Sequence, residues 1–270
     1  MNNYLGIDLG GTKTLIGLIS ESGVVESLTK FATPEDYNQF LQELKTNIEP
    51  LIAGKDVVSA CMAIPGKLDR QNGLIIHLGN LGWDQNIPIK QDLEKILNCP
   101  VVIENDANLA GLSEANLIKD IYHKALYVTI STGIGGVLVV DGVIDPNTAD
   151  AEIGHMIFEY EGKDTEWEDM ASGKWLFETF GKKASELEDE SAWRKFCSNV
   201  AIGLMNLVNV LTPDVIIIGG GVGTHLDKFK ATLDEEMAKI DPKFTQMPVI
   251  VKAQKPEEAV IYGCYQLAKR

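Results

Sequence analysis

A two-domain α/β protein is what this sequence predicts, and two observations carry the prediction. Tyr4-Leu5-Gly6-Ile7-Asp8 reads as a strand, Gly10-Gly11-Thr12-Lys13 as a tight turn, and residues 15–19 as a returning strand closed by Ser22-Gly23. The pattern recurs at Leu126-Tyr127-Val128-Thr129-Ile130, followed by Thr132-Gly133-Ile134-Gly135-Gly136 and a returning strand over 137–140, so the chain carries an internal duplication. Its 270 residues suit two domains of roughly 100–150 residues each. Two related α/β domains are expected, with their Gly-rich turns facing a cleft, where ligands usually bind.

The other elements follow in order. Thr33 is expected to cap a helix with Pro34 in its first turn, and Tyr37, Phe40, Leu41, Leu44, Ile48, Leu51 and Ile52 recur at helical spacing as far as Gly54. Residues 57–64 and 101–103 read as strands, with a helix over 89–97 between them and a helical pattern over 107–117 after them. The acidic stretch 159–190 has weak periodicity and reads as short helices and loops. Residues 200–211 read as a buried helix, Asp214-Val215-Ile216-Ile217-Ile218 as a fully buried strand, and the segment from Pro256, with Val260, Ile261, Cys264 and Leu267, as a last helix. The expected division is residues 1–106 with 254–270 as a small N-terminal α/β domain, and 107–253 as a larger C-terminal one.

Composition narrows the class. With 45% hydrophobic and 23% charged residues the chain is an ordinary globular one. Its 24 Lys and Arg against 39 Asp and Glu leave a net charge of −15, which repels nucleic acid and anionic membranes, so neither is an expected partner. Met1-Asn2-Asn3-Tyr4 has no basic segment followed by an apolar one, no run nears the ~18 apolar residues of a membrane span, and the cysteines at 61, 99, 197 and 264 form no CxxC motif. A cytoplasmic enzyme with reduced thiols is the expectation.

The chemistry-bearing residues sit at strand ends. Asp8 precedes Gly10 and Gly11, whose amides can approach phosphate oxygens, and Thr12 and Lys13 follow in an order that is not that of a Walker A loop. An ordinary Gly-Gly turn is the competing explanation. Thr132 and Gly133 in the second copy add a further set of amides and hydroxyls, and together the two turns suggest a polyphosphate chain held from two sides. Gly219-Gly220-Gly221-Val222-Gly223 lacks the spacing of a dinucleotide fold; close backbone approach to a nucleoside fits it better. Asp106 is either a helix cap or a general base for a sugar hydroxyl. Glu152-Ile153-Gly154-His155 offers a metal pair, a core histidine or, best matched to its donors and acceptors, recognition of sugar hydroxyls.

Taken together these segments closely resemble the ROK family of sugar kinases and repressors, within the superfamily of actin, hexokinase and the heat-shock chaperone ATPases, over nearly the whole chain. Residues 8–13 resemble its first phosphate motif, 132–136 its second, and 213–221 the strand and glycines bordering adenosine. Pro65-Gly66, Asn80-Leu81-Gly82-Trp83, Glu104-Asn105-Asp106-Ala107-Asn108 and 152–155 are similar to its sugar-side motifs. The resemblance implies the two-domain actin-like (ribonuclease-H-like) fold. It further implies that Asp106 is the general base, that Gly66, Asn80, Asn105, Glu152, His155 and Glu168 hold the sugar, and that Asp8, Gly10, Gly11, Thr12, Lys13, Thr132, Gly133, Gly220 and Gly221 hold the nucleotide. The implied reaction is transfer of the γ-phosphoryl of ATP to the 6-hydroxyl of an aldohexose, glucose first, with Mg²⁺ screening the phosphates and Asp8 reaching the metal through water. A homodimer and closure of the domains over the sugar are also implied.

Two departures from the family pattern stand out. Many members follow the Glu-x-Gly-His motif with cysteines that bind a structural zinc together with the histidine, whereas residues 156–172 contain no cysteine, so no structural zinc is expected. Asp145-Pro146-Asn147-Thr148 is similar to the zinc-free branch with polyphosphate-dependent glucokinases, which keeps polyphosphate open as the donor in place of ATP. An N-acetylhexosamine kinase and a non-catalytic sugar-sensing regulator also stay open; the regulator would not need Asp106. The family's repressors carry an N-terminal helix-turn-helix, for which a first strand beginning at Tyr4 leaves no room.

Overall fold

The computed structural model describes residues 2–79, 81–83, 85–240, 245–255 and 258–270. The chain divides into two compact units, Met1–Ser113 with Glu257–Arg270, and Glu114–Pro256.

In the first unit β1 (Asn2–Leu9) turns back into β2 (Lys13–Ser20), which pairs with β3 (Val25–Ala32). Helix α1 (Tyr37–Ile52), β4 (Asp56–Ile64), the hairpin β5 (Lys67–Asp69) and β6 (Leu74–His77), α2 (Ile89–Leu97), β7 (Val101–Asn105) and α3 (Asp106–Asn116) follow. The sheet order is β3-β2-β1-β4-β7, with β1, β4 and β7 mutually parallel. Alternation along the strands assigns the two faces. Leu5, Ile7 and Leu9 join Phe40, Leu44 and Ile48 of α1 and Leu93 and Leu97 of α2 in one cluster, while Tyr4, Cys61 and Ala63 join Leu109 of α3 and Cys264 and Ala268 of the C-terminal helix (Ala259–Ala268) in another. The unit is therefore a three-layer α/β/α arrangement.

The second unit repeats the plan. The hairpin β8 (Lys124–Ile130) and β9 (Ile134–Val140) is followed by the short strand β10 (Val143–Ile144), the hairpin β11 (Ile157–Tyr160) and β12 (Lys163–Glu166), and α4 (Glu168–Ala171), α5 (Gly173–Phe180) and α6 (Glu190–Leu211). Then come β13 (Val215–Gly219), α7 (Gly220–Gly223), α8 (Leu226–Lys239) and β14 (Val249–Lys252). Its five-stranded sheet runs β10-β9-β8-β13-β14: an antiparallel hairpin with parallel strands added on the far side of its first strand, as in the first unit. One face carries a core rich in aromatics, with Trp167, Trp175, Trp193, Phe196 and Phe229 packed with Leu126, Val128, Ile216 and Ile218.

The structure departs from the expected elements at several points. Thr33 is not the cap of α1; Asp36 is, its carboxylate accepting from the Gln39 amide at 2.8 Å, while Thr33 bonds to the β1–β2 turn. Strand β3 alternates half-buried and exposed residues at a sheet edge and carries a weak apolar signal. Within 159–190 the chain forms part of a β-hairpin as well as helices, and α6 starts at Glu190, ahead of the expected 200, because Asp189 caps it and Trp193, Phe196 and Cys197 extend its buried face. Pro256, the expected start of the last helix, lies outside the described residues.

Helix α6 comes very close to Trp167. A Cβ on Gly203 would stand 2.0 Å from the fully buried Trp167 ring, whose Nε1 donates to the Asn199 carbonyl at 3.1 Å. Gly203→Ala is expected to destabilise the protein by ~2 kcal/mol or more, read as a lowered urea midpoint; an unchanged midpoint would show that the ring can move aside at no cost.

Candidate active site

Parallel strands bring the expected chemistry to one sheet edge. Asp8 is in register with Ala63 of β4, Ala63 with Glu104 of β7, and Ile64 with Asn105, so the C-terminal ends of β1, β4 and β7 lie side by side. From that edge leave the β1–β2 turn with Gly10 to Lys13, the Pro65-Gly66 turn, and Asn105-Asp106 at the start of α3. The carboxyl edge of parallel strands is where open α/β sheets bind ligands, because loops and helix starts converge there.

Asp8 and Asp106 are both half-buried on this edge. Burial pushes the Asp8 carboxyl up to about 7, with the charge of Asp106 adding to the effect. Burial also raises Asp106, against the opposing influence of backbone N–H groups. Capping does not occupy the whole of Asp106. Asn105 Oδ1 accepts from the amides of Ala107 at 2.9 Å and Asn108 at 3.3 Å, so the cap of α3 falls largely to Asn105, and Asp106 Oδ1 takes the Ala107 amide at 2.8 Å. Asp106 thus assists at the helix start while its carboxyl keeps a raised proton affinity.

The β1–β2 turn is braced from its carbonyl side. Thr33 Oγ1 donates to the Gly10 carbonyl at 2.7 Å, and the Thr33 amide donates to the Thr12 carbonyl at 3.0 Å. Gly11, Thr12 and Lys13 remain exposed. Thr33, a helix cap by its sequence pattern, is thus a brace for the candidate phosphate loop. Gly66 has φ +116°, and a Cβ there would fall 2.3 Å from the His77 carbonyl oxygen; local backbone approach already requires this glycine. Asn80 lies outside the described residues.

The second unit presents an equivalent edge. Thr129 near the end of β8 is in register with Gly219 at the end of parallel β13, which brings Thr132 and Gly133 to the same side as Gly220 and Gly221. Thr132 is exposed. Gly220, at φ +78°, would place a Cβ 2.5 Å from Thr129 Oγ1, so the fold demands it, whereas a Cβ on Gly221 would meet nothing within 4 Å. Gly221 is the glycine here with open space beside it.

Glu168, at the start of α4, is seated against the β8–β9 turn: its Oε2 accepts from the Ile134 amide at 3.0 Å, and a Cβ on Gly133 would stand 2.5 Å from that oxygen. His155 ends a single 3₁₀ turn, Ile153–His155, and its Nδ1 lies 2.7 Å from Glu166 Oε2; this bond is the main cause of its raised pKa, and water screens the pair because the ring is exposed. Candidate ligand atoms of His155, Glu166 and Glu168 lie within 4.8 Å of one another. Glu152 is exposed beside them in sequence. Glu166, which the sequence motifs do not single out, is returned toward His155 by the two-residue turn Glu161-Gly162, both at positive φ, which makes β11 and β12 a hairpin. An apolar groove of about 530 Å³ also lies in this unit, lined by Leu126, Leu138, Met156, Phe158, Leu207 and Val210 among others; its walls contain neither of the paired aspartates.

The family model of the ROK family matches residues 4–270. The chain is 22% identical over 312 residues to the glucokinase of Streptomyces coelicolor, covering 100% of this chain and 98% of that protein. It is 28% identical over 243 residues to the N-acetylmannosamine kinase of Vibrio cholerae, covering 81% of this chain and 84% of that protein. The crystal structure of a ROK hexokinase from Thermus thermophilus is similar at 28% identity with a TM-score of 0.84, over 99% of this chain and 98% of that one. With a family match running almost from end to end over a two-domain, actin-like α/β fold, this chain belongs to the ROK family.

Proposed function

We propose that this protein transfers the γ-phosphoryl of ATP to the 6-hydroxyl of an aldohexose, with glucose the first candidate. At the coarser level the chain is a sugar kinase of the ROK family, a phosphotransferase with a sugar hydroxyl as acceptor. What supports a base acting on a hydroxyl is the Asp8 and Asp106 pair at the carboxyl edge of three parallel strands, with Asn105 taking most of the capping that would otherwise engage Asp106, and what puts ATP and glucose first is the likeness to glucokinases.

In this reading Asp106 accepts the proton of the attacking hydroxyl, and its raised proton affinity suits it to that step near neutral pH. Asn105, Gly66, Asn80, Glu152, His155 and Glu168 are the proposed sugar residues. Their carboxylates, imidazole and amides supply the mixed acceptors and donors that ring hydroxyls require. The turns at Gly10 to Lys13, at Thr132 and Gly133, and at Gly220 and Gly221 are the proposed nucleotide contacts. The Asp8 carboxylate is a hard oxygen donor, which suits Mg²⁺, and would hold the ion through water. An ion held there would supply screening of the phosphate charge.

We propose that this chain lacks the structural zinc of many family members, because the cysteines that hold it there are missing. His155 faces Glu166, no cysteine lies in residues 156–172, and the four cysteines are buried on strands, helices or the turn before β7. We therefore expect well below one zinc per chain on metal analysis of the purified protein; about one per chain would contradict this. A homodimer in the cytoplasm is the expected working form. Among the described residues no helix is long and apolar enough to cross a membrane.

A panel of aldohexoses and N-acetylhexosamines assayed with Mg²⁺ plus ATP, and with Mg²⁺ plus polyphosphate, tests the proposal. ATP-dependent phosphorylation of one aldohexose is expected. Turnover with polyphosphate alone would reassign the donor, turnover of an N-acetylhexosamine alone would reassign the acceptor, and sugar binding with no turnover would make the protein a sensor. Asp106→Asn is expected to lower kcat ~10²-fold or more with sugar binding retained. A base must be deprotonated, so kcat should fall on the acid side at a higher pH than an ordinary carboxylate would give.

Asp8 also makes a stability prediction. Its folded-state pKa of about 7 lies above the unfolded value, so the folded state holds the extra proton and stability declines as pH rises from about 4 to about 7. Asp8→Asn should therefore stabilise the fold at pH 8 by roughly 2–4 kcal/mol, show little gain at pH 4, and impair turnover. Equal stability of variant and parent at pH 8 would contradict the burial cost assigned to Asp8.

A further inference from the structure

Glu104 is a carboxylate just 6% exposed, one residue before the strand–helix junction that presents Asp106. A lone buried charge is expensive, and Glu104 is neutralised by Arg70, which follows β5: Arg70 Nε lies 2.9 Å and 2.8 Å from the two carboxylate oxygens, and Nη2 also donates to Oε1. The same Oε1 accepts from the Asn105 amide at 2.7 Å and from the Asn108 side-chain Nδ2 at 2.9 Å. One oxygen thus holds the residue before Asp106 and the residue one half-turn after it, and Arg70 fixes that oxygen from a separate hairpin. Asn108 is itself 3% exposed, so this anchoring is internal to the unit.

Buried ion pairs are poor devices for stability alone, since apolar side chains of similar volume often do as well or better. What a bidentate Arg–carboxylate pair supplies is direction, through the fixed fork of the guanidinium. We infer that Arg70 and Glu104 are positioning residues for phosphoryl transfer, fixing the β7–α3 corner so that the Asp106 carboxylate is held at the angle the acceptor hydroxyl needs. In this role they act through Asp106 and not on the sugar or nucleotide directly. The inference rests on the assignment of Asp106 as the base.

A double-mutant cycle on the full chain tests it, with each variant's melting temperature measured to show that it is folded. Arg70→Met leaves Glu104 buried and unpaired and can unfold the unit, so the cycle uses Arg70→Met combined with Glu104→Gln, which removes both charges and keeps an acceptor for Asn105 and Asn108. That pair is expected to lower kcat roughly 10- to 100-fold while the KM for ATP stays within about 2-fold. Introduced into Asp106→Asn, it should cost little further activity, because the group it positions is gone. Arg70→Lys, which keeps the charge and loses the fork, should recover part of kcat. The proposal is overturned if the folded pair retains parental kcat, or if its loss is the same with and without Asp106. If Asp106→Asn itself retains parental kcat, the base assignment fails and this inference goes with it; a dead Asp106→Asn beside a fully active pair sinks the inference alone.

Discussion

Burying carboxylates on one sheet edge is the constraint from which the rest of this site follows. Asp8 and Asp106 stand at the ends of strands separated by one other strand, and removing them from water raises the proton affinity of both. A fold selected for stability alone would place apolar or neutral groups there. Retaining two acids imposes requirements on the neighbours. The helix start needs a cap other than the acid itself, which Asn105 supplies, and the nearby Glu104 charge needs a counter-charge, which Arg70 supplies. The turn after Asp8 needs bracing that leaves its tip exposed, and Thr33 binds it from the carbonyl side.

The same logic organises the second unit with different chemistry. Its sheet repeats the strand plan of the first, but the turn after β8 is closed by the Glu168 carboxylate on the Ile134 amide, and no acid matches Asp8 at the end of β8. The shared strand plan gives each unit a carboxyl edge, one acidic and one rich in glycine and hydroxyl groups. His155 is bonded to Glu166 of β12, in a region without cysteine.

Much of this is legible in the sequence because repetition and strand-end chemistry are local signals. The paired strand, Gly-turn, strand patterns mark the first two strands of both sheets, and Asp106 is recognisable as an acid at a strand-to-helix junction. The remainder depends on partners distant in sequence. Nothing local to Arg70 marks it as the counter-ion of Glu104, 34 residues away, and Thr33 beside Pro34 has the local grammar of a cap although Asp36 is the cap. Gly66 and Gly220 resemble ligand contacts, yet each is already required by a backbone or side-chain approach that only the folded chain creates. The β3 edge strand and the β11–β12 hairpin are hard to see in the sequence because Leu28 and Ile157 face solvent while Ser27 and Thr29 take half-buried positions, which breaks the apolar alternation.

Site-resolved ¹³C NMR titration of the aspartate carboxyl groups is the most direct measurement of the coupling between the two acids, because it reports protonation without depending on substrate or turnover. Asp8 is expected to titrate near pH 7 in the parent protein, and to titrate lower in Asp106→Asn, where the neighbouring charge has been removed but burial persists. If both carboxyls instead lost their protons in the ordinary range near pH 4, and Asp8 did not respond to the loss of Asp106, the two acids would be neither buried nor coupled, and the constraint that organises the site would be absent.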